Sequence, residues 1–99
     1  MTVEEITENM RARVGAGAGL GKSVKFDFGD DGVVRIDDTV NPAVVDNANE
    51  PTDCTVKVTK DDFESIAAGD TNPQMAFMQG KLKVEGDMSV AMQLGKILG

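Results

Sequence analysis

From Ala16 to Ser23 the chain reads A-x-x-x-x-G-K-S, one methyl group away from a phosphate-binding P-loop. That chemistry needs a strand before the glycines and a helix after them, so that loop amides and the helix N-terminus face the phosphate. Here a helix is expected before the motif, over about 3–13, and a strand after it, over 23–28. The order is reversed, so residues 15–21 are read as a helix-to-strand connector. Asp27-Phe28-Gly29 imitates a kinase triplet, but the chain is far too short for a kinase domain. Asp27 to Gly32 also hints at a calcium loop, yet Gly29 stands where the third ligand belongs and the short Asp38 at the twelfth position. A hairpin turn accounts for these residues better.

The rest of the chemical inventory is sparse. There is no histidine, which removes the commonest general base and metal ligand. No catalytic residues, metal site or cofactor are therefore expected. Cys54 alternates with polar neighbours on the face of Val56 and Val58, where a thiol behaves as a small hydrophobe. The pairs Asp30-Asp31, Asp37-Asp38 and Asp61-Asp62 fall in turns or at a helix start, where solvation and capping explain them.

Such residues could act only where secondary structure places them. Thr2-Val3-Glu4-Glu5 is a capping box followed by Ile6, Met10 and Val14 at helical spacing. Val24, Phe26 and Phe28 then alternate with polar residues, Gly29-Asp30-Asp31-Gly32 turns the chain, and Val34 and Ile36 open a second strand at about 33–38. A short strand is expected around Ala43-Val44-Val45 and a clear one at 53–59. Thr59 starts a helix carrying Phe63, Ile66 and Ala67 on one face. Asn72-Pro73 starts another that Gly80 ends. Leu82 and Val84 mark the last strand, and Asp87 caps a final helix over about 88–98. The order α-β-β-β-β-α-α-β-α predicts an α+β fold: a mainly antiparallel sheet with helices over one face.

Length and charge bound the function. Ninety-nine residues suit one domain, taken as residues 1–99. A net charge of −7, with no Trp or Tyr, argues against nucleic-acid binding. The acidity sits in residues 1–70, with 15 acids and 7 bases, whereas residues 71–99 hold 2 acids and 3 bases. No apolar run spans a bilayer, the N-terminus does not read as a signal peptide, and a single cysteine fits a reducing cytoplasm.

The distinctive composition lies at the C-terminal end. Four of six methionines occupy positions 75, 78, 88 and 92. The last helix is apolar nearly all round, with Met88, Ala91 and Met92 on one side and Val90, Leu94 and Ile97 on another. A small domain cannot bury such a helix entirely. Its surplus face meets core, lipid or a protein partner, and composition leaves these open. Methionine suits surfaces that accept varied apolar partners.

Asn72-Pro73-Gln74, Ala76-Phe77, the run Gln79–Met88 and Ala91-Met92-Gln93-Leu94 resemble the signature of the sterol carrier protein 2 domain family. Asp53-Cys54-Thr55 and the helix near Asp61 match its preceding segment, so the likeness covers about 52–98. The short N-terminal helix and the lack of a Ser-Lys-Leu-type ending are similar to bacterial, stand-alone members. The resemblance implies a five-stranded, mainly antiparallel sheet and an apolar tunnel for a fatty acid, fatty acyl-CoA, phospholipid or sterol-like ligand. By position the tunnel would be lined by Phe77, Met78, Leu82, Val84, Met88, Met92, Leu94 and Ile97, with Phe63 and Ile66 beneath. Lys81, Lys83 or Lys96 would meet a charged headgroup at its mouth. The implied protein is a non-catalytic, monomeric lipid carrier making transient membrane contact. The competing readings are an interaction or dimerisation module built on the last helix, and an accessory domain to an acyl-CoA enzyme.

Overall fold

Alternation of side chains along five short strands builds one sheet with an apolar and a polar face. The computed structural model describes residues 2–14, 19, 21–40 and 42–93. Its elements run α1 (Val3–Val14), β1 (Ser23–Asp27), a 3-10 turn (Gly29–Asp31), β2 (Val33–Asp37), β3 (Val44–Asp46), β4 (Cys54–Val58), α2 (Lys60–Ala67), α3 (Pro73–Met78), β5 (Leu82–Gly86) and α4 (Met88–Met92). The expected order is therefore observed, and the 3-10 turn is the one addition. Of the final helix, Met88–Met92 is described; residues 94–99 lie outside the described residues.

The strands lie in the order β3-β2-β1-β4-β5. β1 and β2 form the expected hairpin, closed by Phe28 N–H donating to Gly32 O at 2.9 Å. β1 pairs with β4 in parallel, and the other pairings are antiparallel. The register stacks Ile36, Val24, Cys54 and Gly86 in one row, and Val34, Phe26, Val56 and Val84 in the next. Because side chains alternate at period two, these rows share one face and leave Arg35, Lys25, Thr55 and Glu85 on the other. Val24, Phe26, Val34, Ile36, Cys54 and Val56 are fully buried, so the apolar face is covered and the polar one is wet.

Helices supply that cover. Glu5 N–H donates to Thr2 Oγ1 at 3.2 Å and Thr2 N–H to Glu5 Oε1 at 3.3 Å, the reciprocal capping box that starts α1. Ile6, Met10 and Val14 point into the core. Thr7, also buried, is satisfied: its hydroxyl donates to Val3 O at 2.7 Å and accepts from Asn47 Nδ2 at 2.9 Å. On α2, Phe63 meets Phe26 and Phe28 edge-on, with ring centroids 5.4 and 5.3 Å away. Thr59 caps α2 by accepting from Asp62 N–H.

The connector reading of the glycine-rich stretch agrees with its flanks, since α1 precedes it and β1 follows. Residues 15–18 and Leu20 lie outside the described residues. The Gly21-Lys22-Ser23 triplet, which made the stretch look like a phosphate loop, binds the chain to itself instead. Gly21 N–H donates to Asp38 Oδ2 at 3.1 Å, and Ser23 N–H to Asp53 Oδ2 at 2.9 Å. Ser23 Oγ accepts from Asp53 N–H at 3.0 Å, and Lys22 Nζ pairs with Asp87.

Candidate functional site

The segment α3–β5–α4 joins a few buried anchors to a run of uncovered apolar side chains. Asn72 Oδ1 accepts from Gln74 N–H at 2.8 Å and Pro73 occupies the first turn, so α3 begins at the expected residue. Ala76, fully buried, seats this helix. Gly80, at φ 75°, then ends it, and Lys81 N–H donates back to Ala76 O at 2.9 Å. The chain enters β5 with Leu82 opposite Val58 and Val84 opposite Val56, both turned toward the core face. Gly86 closes the strand at φ 96°, and a Cβ there would stand 2.4 Å from Asp53 O. Asp87 N–H donates to that same carbonyl at 2.8 Å. Its carboxylate accepts from Ser89 N–H at 2.8 Å and caps α4. Val90, fully buried, anchors α4 over β4 and β5.

The side chains around those anchors point outward. Exposure is 50% at Met75, 47% at Phe77, 80% at Met78, 50% at Met88 and 84% at Met92. Met88 and Met92 are one helical turn apart and share a face of α4. Large apolar residues left uncovered mark contact sites where they adjoin one another. The described surface includes two clefts beside these elements or the core. One, of about 350 Å³, lies at an end of the sheet among Asp27, Phe28, Gly29, Lys57, Val58, Thr59, Gly80, Lys81 and Lys83. The other, of about 220 Å³, lies between α1 and α2, with Ile6, Met10 and Phe63 inside and Asn9, Arg13 and Glu64 at its rim.

Electrostatics separate structural from available charges. A side-chain hydrogen bond from Lys22, then those from Ser89, hold the Asp87 carboxyl well below the usual carboxylate range. The same pair raises Lys22. Arg35 donates to Asp46 from Nε at 2.9 Å and from a terminal nitrogen at 2.7 Å, and this fork lowers the Asp46 carboxyl. Burial, aided by Asp87 and Asp53, pushes the Cys54 thiol up, so it is a poor nucleophile and packs as a small hydrophobe. Among the described residues, Lys81 and Lys83 have no ion-pair partner, while Lys57 meets Glu85 at 3.5 Å. No group of three or more His, Cys, Asp or Glu side chains among the described residues could hold a metal ion. No helix among them is long and apolar enough to cross a membrane.

The residues expected to line a lipid site divide into three groups. Phe63, Ile66 and Leu82 are buried in the core, and Val84 packs against it. Phe77, Met78, Met88 and Met92 are exposed on α3 and α4, and Lys81 and Lys83 are exposed at the start of β5. Leu94, Lys96 and Ile97 lie outside the described residues. Met75, one of the clustered methionines but not one of the expected lining residues, joins the exposed residues of α3. Lys57 was not singled out from the sequence; it reaches the larger cleft because β4 and β5 pair it with Lys83, and register alone reveals it.

The described residues thus form an α+β domain with a one-faced sheet and an exposed apolar helical segment. Residues 5–99 match the SCP-2 sterol transfer family, and the chain belongs to it. Over 52 residues, 52% of the chain, it is 44% identical to sterol carrier protein 2 of Homo sapiens, of which the match covers 10%. It is 42% identical over 57 residues to non-specific lipid-transfer protein-like 1 of Caenorhabditis elegans, covering 58% of the chain and 48% of that protein. The chain thus spans from a tenth to about half of these relatives' lengths. The solution structure of palmitated SCP2L2 from Aedes aegypti superposes with a TM-score of 0.74 at 28% identity, over 99% of this chain and 95% of that one.

Proposed function

We propose that the protein binds an acyl or sterol-like lipid against the exposed apolar side chains of α3 and α4 and passes it on without catalysing a reaction. The observation that carries this reading is the exposed group Met75, Phe77, Met78, Met88 and Met92 around the buried anchors Ala76 and Val90. An apolar tail laid on these side chains gains up to about 0.8 kcal/mol per buried methylene, less the cost of ordering the chain. Family membership supports the carrier role, and the palmitated relative supports a fatty-acyl ligand. Phe77, Met78, Met88 and Met92, with Leu94 and Ile97, contact the tail, while Phe63, Ile66, Leu82 and Val84 form the floor. The carrier works as one monomeric domain, touches membranes transiently to load and unload, and takes no nucleic acid. The lone buried Cys54 fits a reducing cytoplasm.

Native mass spectrometry of the purified protein tests the proposal, alongside displacement of a fluorescent fatty acid by palmitate. The expected result is a lipid adduct on a monomer and saturable displacement, both weakened by Phe77→Asp. An empty dimer that binds no fatty acid, and that Met92→Asp dissociates, would replace the carrier reading with a protein-interaction one.

A further inference from the structure

The two edges of the sheet are finished differently. At one, β3 is only three residues long, and Arg11 Nε donates to its Val45 carbonyl at 3.1 Å. A short, covered edge of this kind resists further pairing. At the other, β5 runs for five residues. Its phase against β4 follows from one bond, Asp87 N–H to Asp53 O at 2.8 Å. Antiparallel pairs alternate between those that exchange hydrogen bonds and those that do not. Thr55–Glu85 and Lys57–Lys83 fall in step with Asp53–Asp87, so these pairs bond across to β4. Leu82, Val84 and Gly86 therefore aim their backbone N–H and C=O groups away from β4. No backbone group from a loop or helix among the described residues bonds to them. Gly86 is exposed, and without a side chain its exposure is that of the backbone itself.

We infer that the β5 edge pairs with the β5 edge of a second copy of this chain, antiparallel and centred on Val84. Outward groups must meet outward groups, so Leu82, Val84 and Gly86 of the two copies face one another. Centring the pair on Lys83 or on Glu85 would set that residue opposite itself, and like charges directly opposed are unfavourable. Centring it on Val84 sets each exposed Lys83 opposite the exposed Glu85 of the second copy, twice over. These contacts fall in the pairs without hydrogen bonds, where side chains come closest. Within its own chain Lys83 faces Lys57, and Glu85 meets Lys57 at 3.5 Å, so the second copy supplies the carboxylate that Lys83 lacks opposite it. On the other face Val84 meets its copy and continues the row of Val34, Phe26, Val56 and Val84. The two-fold axis stands normal to the sheet. Hence α3 and α4, which pack on β5 and carry the exposed apolar rim, lie on one side of the joined sheet in both copies. Five residues a side bury much less than the roughly 800 Å² per partner of a stable interface. The contact is therefore weak and reversible, and the dilute chain is monomeric.

Sedimentation velocity and amide NMR on the full chain test this, from about 10 μM to about 1 mM, a span that brackets weak association. The mean mass should rise toward a dimer with concentration, the Val84 amide should shift with it, and raised ionic strength should weaken both. Lys83→Glu and Glu85→Lys each turn both symmetry-related contacts repulsive, so each alone should weaken self-association at least about tenfold. Mixed in equal amounts, the two variants should associate within about threefold of the natural chain, because the carboxylates of one meet the lysines of the other. Net charge alone cannot produce that rescue, since the mixed pair carries the same total charge as two natural chains. Unchanged amide spectra in dilute solution show that the variants fold. Where one does not, Lys83→Glu/Glu85→Lys replaces it and should self-associate as the natural chain does. A mass that stays monomeric at about 1 mM overturns the inference, as does a mixture that associates no better than either variant alone. Association that both charge variants leave within about twofold, but that Met78→Asp/Met92→Asp abolishes, moves the contact to the α3–α4 rim and also overturns it. Palmitate binding by the dilute monomer decides the carrier reading separately.

Discussion

Gly86 carries two constraints at once, which makes it the most demanding single residue of the described chain. Its φ of 96° lies in a region that L side chains rarely adopt, and an added Cβ would sit 2.4 Å from Asp53 O, a backbone atom that cannot swing aside. Gly69 shares the first constraint only: at φ 83° it has nothing within 4 Å of the Cβ position. The comparison separates backbone strain from collision. Gly69→Ala should cost about 1 kcal/mol, the lower end for a strained backbone position. Gly86→Ala should cost about 3 kcal/mol or more, since β4 and β5 must also move apart at their shared end. Urea unfolding followed by circular dichroism checks both; equal losses would show that the close approach to Asp53 is not rigid. Cys54 makes the complementary case. The sequence marked it as core, and its full burial and raised thiol pKa agree.

Between elements, the Lys22–Asp87 pair connects the start of β1 to the cap of α4, two places 65 residues apart in the chain. Asp53 adds a second tie, holding Ser23 through its carboxylate and Asp87 through its backbone carbonyl. This clasp sets where α4 begins, and hence where Met88 and Met92 stand. Its pH dependence follows from the direction of the shift. The folded Asp87 carboxyl is depressed, so its contribution is fully present above the unfolded value of about 4 and fades as pH falls below it. Lys22 is raised, so its share persists through neutral pH and is lost only in strong base. Asn caps helices as well as Asp does, so Asp87→Asn removes the charge and spares the cap. The midpoint difference between the natural chain and this variant should therefore be constant from pH 7 to about 5 and shrink steadily from about 4 to 2. A difference independent of pH across that range would mean the ion pair does not contribute. The clasp also shows how far local patterning reaches. Alternation, caps and glycine stops sufficed for α1, the β1–β2 hairpin, α2, α3 and β5, because each is specified by neighbours in sequence. The parallel β1–β4 pairing, the Gly-Lys-Ser clasp and the Lys57–Lys83 juxtaposition are contacts between distant residues, and no window of sequence contains them. The apolar residues expected at the site stand out in the sequence as a group, and only the fold divides them into those in or against the core, Leu82 and Val84, and exposed ones, Met78 and Met92.

Considered whole, the molecule is tightly drawn yet leaves one apolar side unfinished. Its radius of gyration is 12.0 Å, close to the roughly 13 Å of a typical 100-residue domain. The cleft between α1 and α2, at about 220 Å³, is smaller than most small-molecule sites. On the proposed reading a lipid tail lies against the exposed rim or displaces α4, which Val90 anchors over β4 and β5. In either case the tail binds the folded chain and not the unfolded one, so it must raise stability by mass action. At a free concentration of 100 times the Kd the gain is about 2.7 kcal/mol. For a domain of this length that corresponds to about 10 °C or more in thermal midpoint. Calorimetric scans with and without palmitate should show that rise. Met78 and Met92 are 80% and 84% exposed, so changing both to Asp removes little packing from the free chain. The double variant should melt near the unliganded natural protein and gain less than about 3 °C from palmitate, in proportion to its lower affinity. A full rise in the variant would place the tail somewhere other than the α3–α4 rim, and no rise in the natural chain would mean that palmitate does not engage the folded state.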